Sequence, residues 1–237
     1  MQISAPIYVL KRKAKQMARR GGIALHQAQD TVAVAEGFKS WSHLAAACAM
    51  ISPATDVLRQ VTSGEMILIA ARPGQGKTLL GLEVASRAAE IGRRGYVFTL
   101  EYNVRDVSEQ LSALGIGQGA SAAPFVLDTS DEVSADYIIQ RLATVTHPAV
   151  IVVDYLQLLD QRRSTPALAD QMVVLRQFIQ ASGHVCVLLS QIDRAFDLSG
   201  RAVPGVADIR QPNPLDLSVF DRFCFLHDGQ VRLDRAA

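Results

Sequence analysis

The sequence predicts an α/β domain with a mostly parallel central sheet covered by helices on both faces, preceded by a small three-helix unit. Three observations carry this. Short apolar runs, Met66 to Ala70, Tyr96 to Glu101, Ala149 to Leu159 and His184 to Gln191, alternate with stretches of helical periodicity. Strands apolar throughout and separated by helices belong to parallel sheets buried on both sides. The first run is followed by a glycine-rich turn that opens a helix at Lys77-Thr78, and several of the runs end in a polar side chain.

Taken in order, Tyr8 to Arg20 reads as a helix. Leu10, Ala14 and Met17 recur at helical spacing, and Lys11, Arg12, Lys13, Lys15, Arg19 and Arg20 occupy other positions with no acid among them. Gly21 and Gly22 end it. A second helix is expected over Ala24 to Glu36, with Leu25, Ala28 and Val32 on one face. A third runs from Trp41 to Met50, with Ser40 as its N-cap and Trp41, Leu44, Ala45 and Cys48 turned inward. Phe38 and Trp41 read as core anchors of this unit. The basic helix is either a solvated face or a surface that contacts nucleic-acid phosphates. The boundary is expected at Ser52-Pro53-Ala54, dividing residues 1–52 from residues 53–237.

A short helix from Thr55 to Val61 precedes the first strand. Beyond the turn and its helix, a strand ends at Glu101, and a helix follows from about Asn103 to Ala113. A strand covers Phe125 to Leu127 and a helix Asp131 to Thr146, broken by His147-Pro148. The Ala149–Leu159 strand carries Asp154, a helix spans Ala167 to Ser182, and the next strand ends in Gln191. A last strand is expected over Asp221 to Leu226.

Composition bounds the partners only loosely. The chain has 237 residues, 49% hydrophobic and 20% charged, with a net charge of +1, enough apolar matter for a full core. No apolar run approaches the ~20 residues that span a bilayer, and no apolar segment of a signal peptide follows the basic N-terminus, so a cytoplasmic protein without membrane contact is expected. Cys48, Cys186 and Cys224 have neither metal-binding nor disulfide-framework spacing and read as buried thiols.

The strand–turn–helix segment from Ala71 to Ala85 is a phosphate-binding loop. Gly74 and Gly76 let the backbone wrap an anion, and the amides at the helix start add positive potential. Ala71, Arg72, Pro73, Gly74, Gln75, Gly76, Lys77, Thr78 and Leu79 are the candidate nucleotide-binding residues. The Lys77 ammonium can reach the terminal phosphates, and the Thr78 hydroxyl can ligate Mg²⁺. Ligands in parallel sheets bind at the carboxyl ends of the strands, where Lys77, Glu101, Asp154 and Gln191 all fall. Asp154 is the second candidate for holding Mg²⁺. Glu101, from the strand expected beyond that of Asp154, is the candidate to activate a water. Gln191 is placed to sense the γ-phosphate. A strand-end cap or a surface carboxylate is the plain structural alternative for each acid.

Together ARPGQGKT, the FTLE strand end, IVVDYLQLL, LLSQIDR and the VADIR segment at Val206–Arg210 resemble the C-terminal ATPase domain of DnaB-type replicative helicases, a RecA-like P-loop NTPase. The resemblance spans roughly residues 55–230. It implies ATP and Mg²⁺ as cofactors, ATP hydrolysis, assembly into a homo-oligomeric ring and translocation on single-stranded DNA. By the same resemblance Lys77 and Thr78 bind phosphates and Mg²⁺, Glu101 is the catalytic acid/base, Asp154 the metal-binding acid and Gln191 the sensor. In RecA-like rings the loops after such strands line the channel. Arg162, Arg163, Arg194 and Arg201, in the loops Asp160–Pro166 and Ile192–Pro204, are therefore candidate DNA contacts, or solvated loop cations.

The sequence departs from that family in four places. Ala71 stands where the loop usually has glycine, and a basic unit of about fifty residues stands where the family has a large helical domain. QPNPLDLS after Arg210 differs from the family's more polar stretch. The chain stops soon after HDGQVRL, where the family continues into a hairpin that supplies an arginine to the neighbour's site. Arg194, Arg201, Arg210 and Arg232 are candidate substitutes. Two functions follow: a DNA-associated ATPase, or a nucleotide-dependent regulatory module with slow hydrolysis and no translocation.

Overall fold

The computed structural model describes residues 4, 7–50, 52–99, 101–114, 116, 124–156, 159, 166–211, 213–228 and 230–236. The chain divides into two compact units, residues 1–56 and 57–237.

The first unit contains α1 (Ile7–Gly21), α2 (Leu25–Ala35) and α3 (Trp41–Met50). Leu10, Ala14, Ala28, Val32, Ala33 and Leu44 form its core, with Ile7, Met17, Phe38 and Trp41 packed on it. Leu25, expected on the buried face of α2, is 43% exposed, because the packed stretch of that helix begins one turn later, at Ala28. The turn into α3 is held twice. The Trp41 amide donates to Asp30 Oδ1 at 2.8 Å, and the His43 amide donates to the Ser40 hydroxyl at 3.4 Å. The side chain of Cys48 lies outside the described residues.

A helix, α4 (Pro53–Gln60), crosses into the second unit. There the strands are β1 (Met66–Ala71), β2 (Arg94–Thr99), β3 (Phe125–Asp128), β4 (Ala149–Asp154), β5 (Val185–Gln191), β6 (Arg222–His227) and β7 (Gln230–Arg235). Among the described residues they form a seven-stranded sheet in the order β3-β2-β4-β5-β1-β6-β7, parallel except for the β6–β7 pair. Between the strands run α5 (Lys77–Ser86), α6 (Val104–Leu114), α7 (Ala135–Leu142) and α8 (Leu168–Ser182).

Alternation along β1 divides the sheet into two apolar faces. Met66, Leu68 and Ala70 share one core with Ile151, Val153, Cys186 and Leu188 and with Ile138, Leu142, Met172, Leu175 and Ile179 of α7 and α8. On the opposite face α5 lies close against the sheet. A Cβ at Gly81 would stand 3.0 Å from Leu189 Cδ1 and 3.1 Å from Val152 Cγ1. All six residues of β1 and of β4 are buried, as a sheet covered on both sides requires.

Three elements differ from expectation. β4 stops at Asp154 instead of running to Leu159, since its register with β5 ends at Val153 and Asp154 turns its carboxylate toward α5. The helix expected over Asp131 to Thr146 is only α7, because the Ser134 hydroxyl accepts the Tyr137 amide and starts the helix there. Antiparallel β7 was not expected at all, although Val231 and Leu233 alternating with charged residues beyond Asp228-Gly229 is a hairpin signal.

Candidate nucleotide site

Parallel pairing puts the ends of β1, β2, β4 and β5 on one edge. Thr99 is level with Asp154, and Ala71 with Gln191. β2 lies beyond β4 as seen from β1, the position expected for the strand leading to Glu101.

The loop between β1 and α5 has Gly74 at φ 79° and Gly76 at φ 91°, a left-handed conformation that side chains other than glycine rarely adopt. The Gln75 amide donates to the Arg72 carbonyl at 3.2 Å, closing the turn, and Gly76 caps α5. Pro73 and Gly74 lie exposed at its crest, Ala71 is buried at the end of β1, and Leu79 is half-buried on α5. Two side chains tie the loop to its neighbours. Arg72 forms a bidentate ion pair with Asp197, at 3.0 and 3.1 Å from Nε, and donates to the Ile192 carbonyl at 3.1 Å. On the other flank Gln75 Oε1 accepts the Asp228 amide at 2.9 Å.

Lys77, Thr78, Glu101 and Asp154 converge. Lys77 is buried, and its ammonium stands 3.1 Å from Asp154 Oδ1 and 3.9 Å from Glu101 Oε2. It also lies 5.5 Å from the centre of the Tyr155 ring. The Thr78 hydroxyl donates to the other Asp154 oxygen at 2.8 Å. Asp154 is 2% exposed, so its charge is held by Lys77 and Thr78 rather than by water. The Glu101 amide donates to the buried Thr99 hydroxyl at 3.2 Å, while its carboxylate stays part-exposed. Burial raises the Glu101 carboxyl above the usual range, Lys77 partly offsets this, and Asp154 adds to it.

This donor set fits a nucleotide with Mg²⁺. One buried carboxylate and one hydroxyl, side by side, suit a hard cation that takes its remaining ligands from water and phosphate. Among the described residues no cluster of three or more His, Cys, Asp or Glu offers an all-protein metal cage.

Gln191 ends β5 beside the loop, and its side-chain carbonyl accepts from Arg210 at 3.2 Å. Sequence reasoning missed this contact. It arises because Ile192 and Ile209 form an antiparallel bridge, with the Arg210 amide on the Gln191 carbonyl at 2.8 Å. The segment after Gln191 is thus not an open polar loop. Asp193 caps a 3-10 turn at Arg194–Leu198, Phe196 is buried, and Arg201 pairs with Asp208 and stacks 5.4 Å over Phe196. Arg232 pairs with Asp234 and donates to the Pro204 carbonyl. Arg194 is exposed and has no ion pair among the described residues, whereas Arg162 and Arg163 lie outside them. No helix of the described residues is long and apolar enough to cross a membrane.

Sheet order, phosphate loop and strand-end acids define a RecA-like P-loop NTPase fold, the fold of DnaB-type helicase ATPase domains. Solved structures bear this out. The ATPase domain of a DnaB-like helicase is similar at 21% identity and a TM-score of 0.59, over 74% of this chain and 75% of that one. A DnaB-like replicative helicase, solved in a study of its interactions with primase, is similar at 20% identity and a TM-score of 0.58, over 92% of this chain and 65% of that one. A KaiC-like protein from the archaeon Pyrococcus horikoshii OT3 matches at 16% identity and a TM-score of 0.50, over 68% of this chain and 70% of that one. No family model and no curated protein sequence matches the chain.

Proposed function

We propose that the protein is a Mg²⁺-dependent ATPase that works with nucleic acid. The observation that carries the reading is the meeting of Lys77, Thr78, Glu101 and Asp154 within a few hydrogen bonds of one another beside a phosphate loop. In this reading the loop amides and Lys77 hold the β- and γ-phosphates, and Thr78 and Asp154 hold the metal. Mg²⁺, when bound, neutralises the charge that develops on the phosphates. Glu101 is half-exposed, so water reaches it, and its raised affinity for protons suits a group that takes one from the attacking water. Gln191, with Arg210 on its side chain, lies at the γ-phosphate end. Single-stranded DNA as the nucleic acid and a homo-oligomeric ring as the working form follow from the likeness to replicative helicases. Arg194 is the candidate DNA contact best left open to solvent, and Arg162 and Arg163 remain candidates on the sequence.

The test is steady-state ATP turnover with Mg²⁺, with and without single-stranded DNA. Lys77→Ala is expected to abolish nucleotide-dependent thermal stabilisation, and Glu101→Gln to cut turnover by roughly 10²-fold or more while leaving nucleotide binding intact. Wild-type protein that binds no ATP would overturn the reading. A second reading, a regulatory module with slow hydrolysis and no translocation, is favoured by the arginines. Arg201 and Arg232 are engaged within the chain, and Arg210 holds Gln191. Slow turnover unchanged by Glu101→Gln would select it.

A further inference from the structure

The net charge of +1 conceals a separation between the two units. Residues 1–56 carry seven Lys and Arg against three Asp and Glu, whereas residues 57–237 carry seventeen against twenty. Six of those seven cations lie on α1, and the structure sorts them to one side. Leu10 and Ala14 are buried against Ala28, Val32, Ala33 and Leu44, while Arg12, Lys13, Lys15, Arg19 and Arg20 are exposed on the opposite face. The acids of the unit do not neutralise this face. Asp30 accepts the Trp41 amide, and Glu36, which accepts both the amide and the hydroxyl of Ser4, is within electrostatic reach of Lys13 only. Among the described residues Arg12, Lys15, Arg19 and Arg20 make no salt bridge.

This arrangement works against the helix that carries it. Lys11 and Lys15, and Lys15 and Arg19, are like charges four residues apart, a destabilising spacing. Burial and then Lys15 hold the Lys11 ammonium below the usual lysine range. The first turn has no acid to complement the helix dipole. A polyanion laid along the face would relieve all of this. A lipid surface fits poorly, because an amphipathic helix binds membranes through its apolar side, and here that side is spent on the core of the unit.

We propose that the exposed cationic face of α1 binds the phosphodiester backbone of a nucleic-acid strand, without base readout. Arg12 to Arg20 spans about 12 Å of helix, enough for a few consecutive phosphates. The site is separate from the strand-end loops of the ATPase unit. It rests on the nucleic-acid reading of that unit only for the choice of polyanion.

The test uses the full chain without nucleotide and reads fluorescence anisotropy of labelled single-stranded and duplex oligonucleotides over a salt series. The triple variant Arg12→Gln, Lys15→Gln, Arg19→Gln is expected to fold as wild type by circular dichroism. Its affinity should fall roughly tenfold or more at low salt, and its slope of log affinity against log salt should flatten by about 2 on single strands and about 3 on duplex. ATP turnover without DNA should not change. The charge-conserving pair Arg12→Lys, Arg19→Lys should retain binding. Equal affinity and slope in the triple variant and wild type would overturn the proposal, as would wild-type protein that binds neither oligonucleotide at low salt. Vesicles of anionic lipid that bind more tightly than DNA, through the same residues, would overturn it in favour of a membrane surface. Lys77→Ala protein separates the two readings: if it hydrolyses nothing yet binds DNA as wild type does, the α1 site stands on its own. If wild type hydrolyses no ATP but binds DNA through α1, only the ATPase reading falls.

Discussion

Gly95 sits in β2 with no unusual backbone angle, and only its neighbours explain it. A Cβ there would stand 2.2 Å from the carbonyl oxygen of Ala85 on α5 and 3.0 Å from Phe125 Cβ on β3. The backbone of α5 therefore approaches the sheet as closely as a missing side chain allows, which sets the height of Lys77 and Thr78 above Asp154. Gly95→Ala must push α5 outward, at a cost of about 1–3 kcal/mol. Chemical denaturation should read that loss, and nucleotide affinity should fall with it. Gly81 on α5 faces flexible side chains instead, so Gly81→Ala is expected to cost less in the same assay.

At the scale of elements, β5 shows how a strand is anchored at both ends. At its start His184 is buried, and its Nδ1 accepts the Ala149 amide at 2.9 Å, joining the entry to β5 to that of β4. Burial, and then nearby Arg93, hold its pKa below the usual histidine value. The unfolded chain therefore binds this proton more readily than the native one, and stability falls as pH drops below about 6.5. Thermal melts between pH 7.5 and 5 should show that fall, and His184→Gln should flatten it whatever its effect at neutral pH.

The same scale shows what the sequence discloses. β1, β4, β5 and the loop–helix unit were legible because apolar runs and a phosphate-loop motif are local patterns. Asp154 and Glu101 were legible because a carboxylate ending an apolar strand has few structural reasons to be there. Arg72–Asp197, Gln75–Asp228 and Arg210–Gln191 were not. The first two join positions more than a hundred residues apart, and no periodicity marks them. β7 carried a readable alternation, but its charged residues made the segment resemble a tail.

On the scale of the whole molecule, one ion pair fastens the sheet opposite the site. Arg222, at the start of β6, donates to Glu65 at 2.8 Å just before β1, and both are buried. Burial alone would raise the Glu65 carboxyl, but hydrogen bonds from Arg222 and Thr62 outweigh it and hold the group below the usual range. Arg222→Leu leaves Glu65 buried without its counter-charge and should cost about 3–5 kcal/mol in unfolding free energy at neutral pH. Adding Glu65→Leu should recover part of that loss, a coupling read by a double-mutant cycle.

The phosphate loop is moored on both flanks, by Arg72 to the turn after β5 and by Gln75 to the turn between β6 and β7. A seat held open in this way gives up little disorder when it is filled, so more of the attraction for the anion survives as affinity. The same moorings make the seat answerable to its surroundings. A tug on either turn, from a strand threading past or a neighbour pressing in, would be felt first where the phosphates sit.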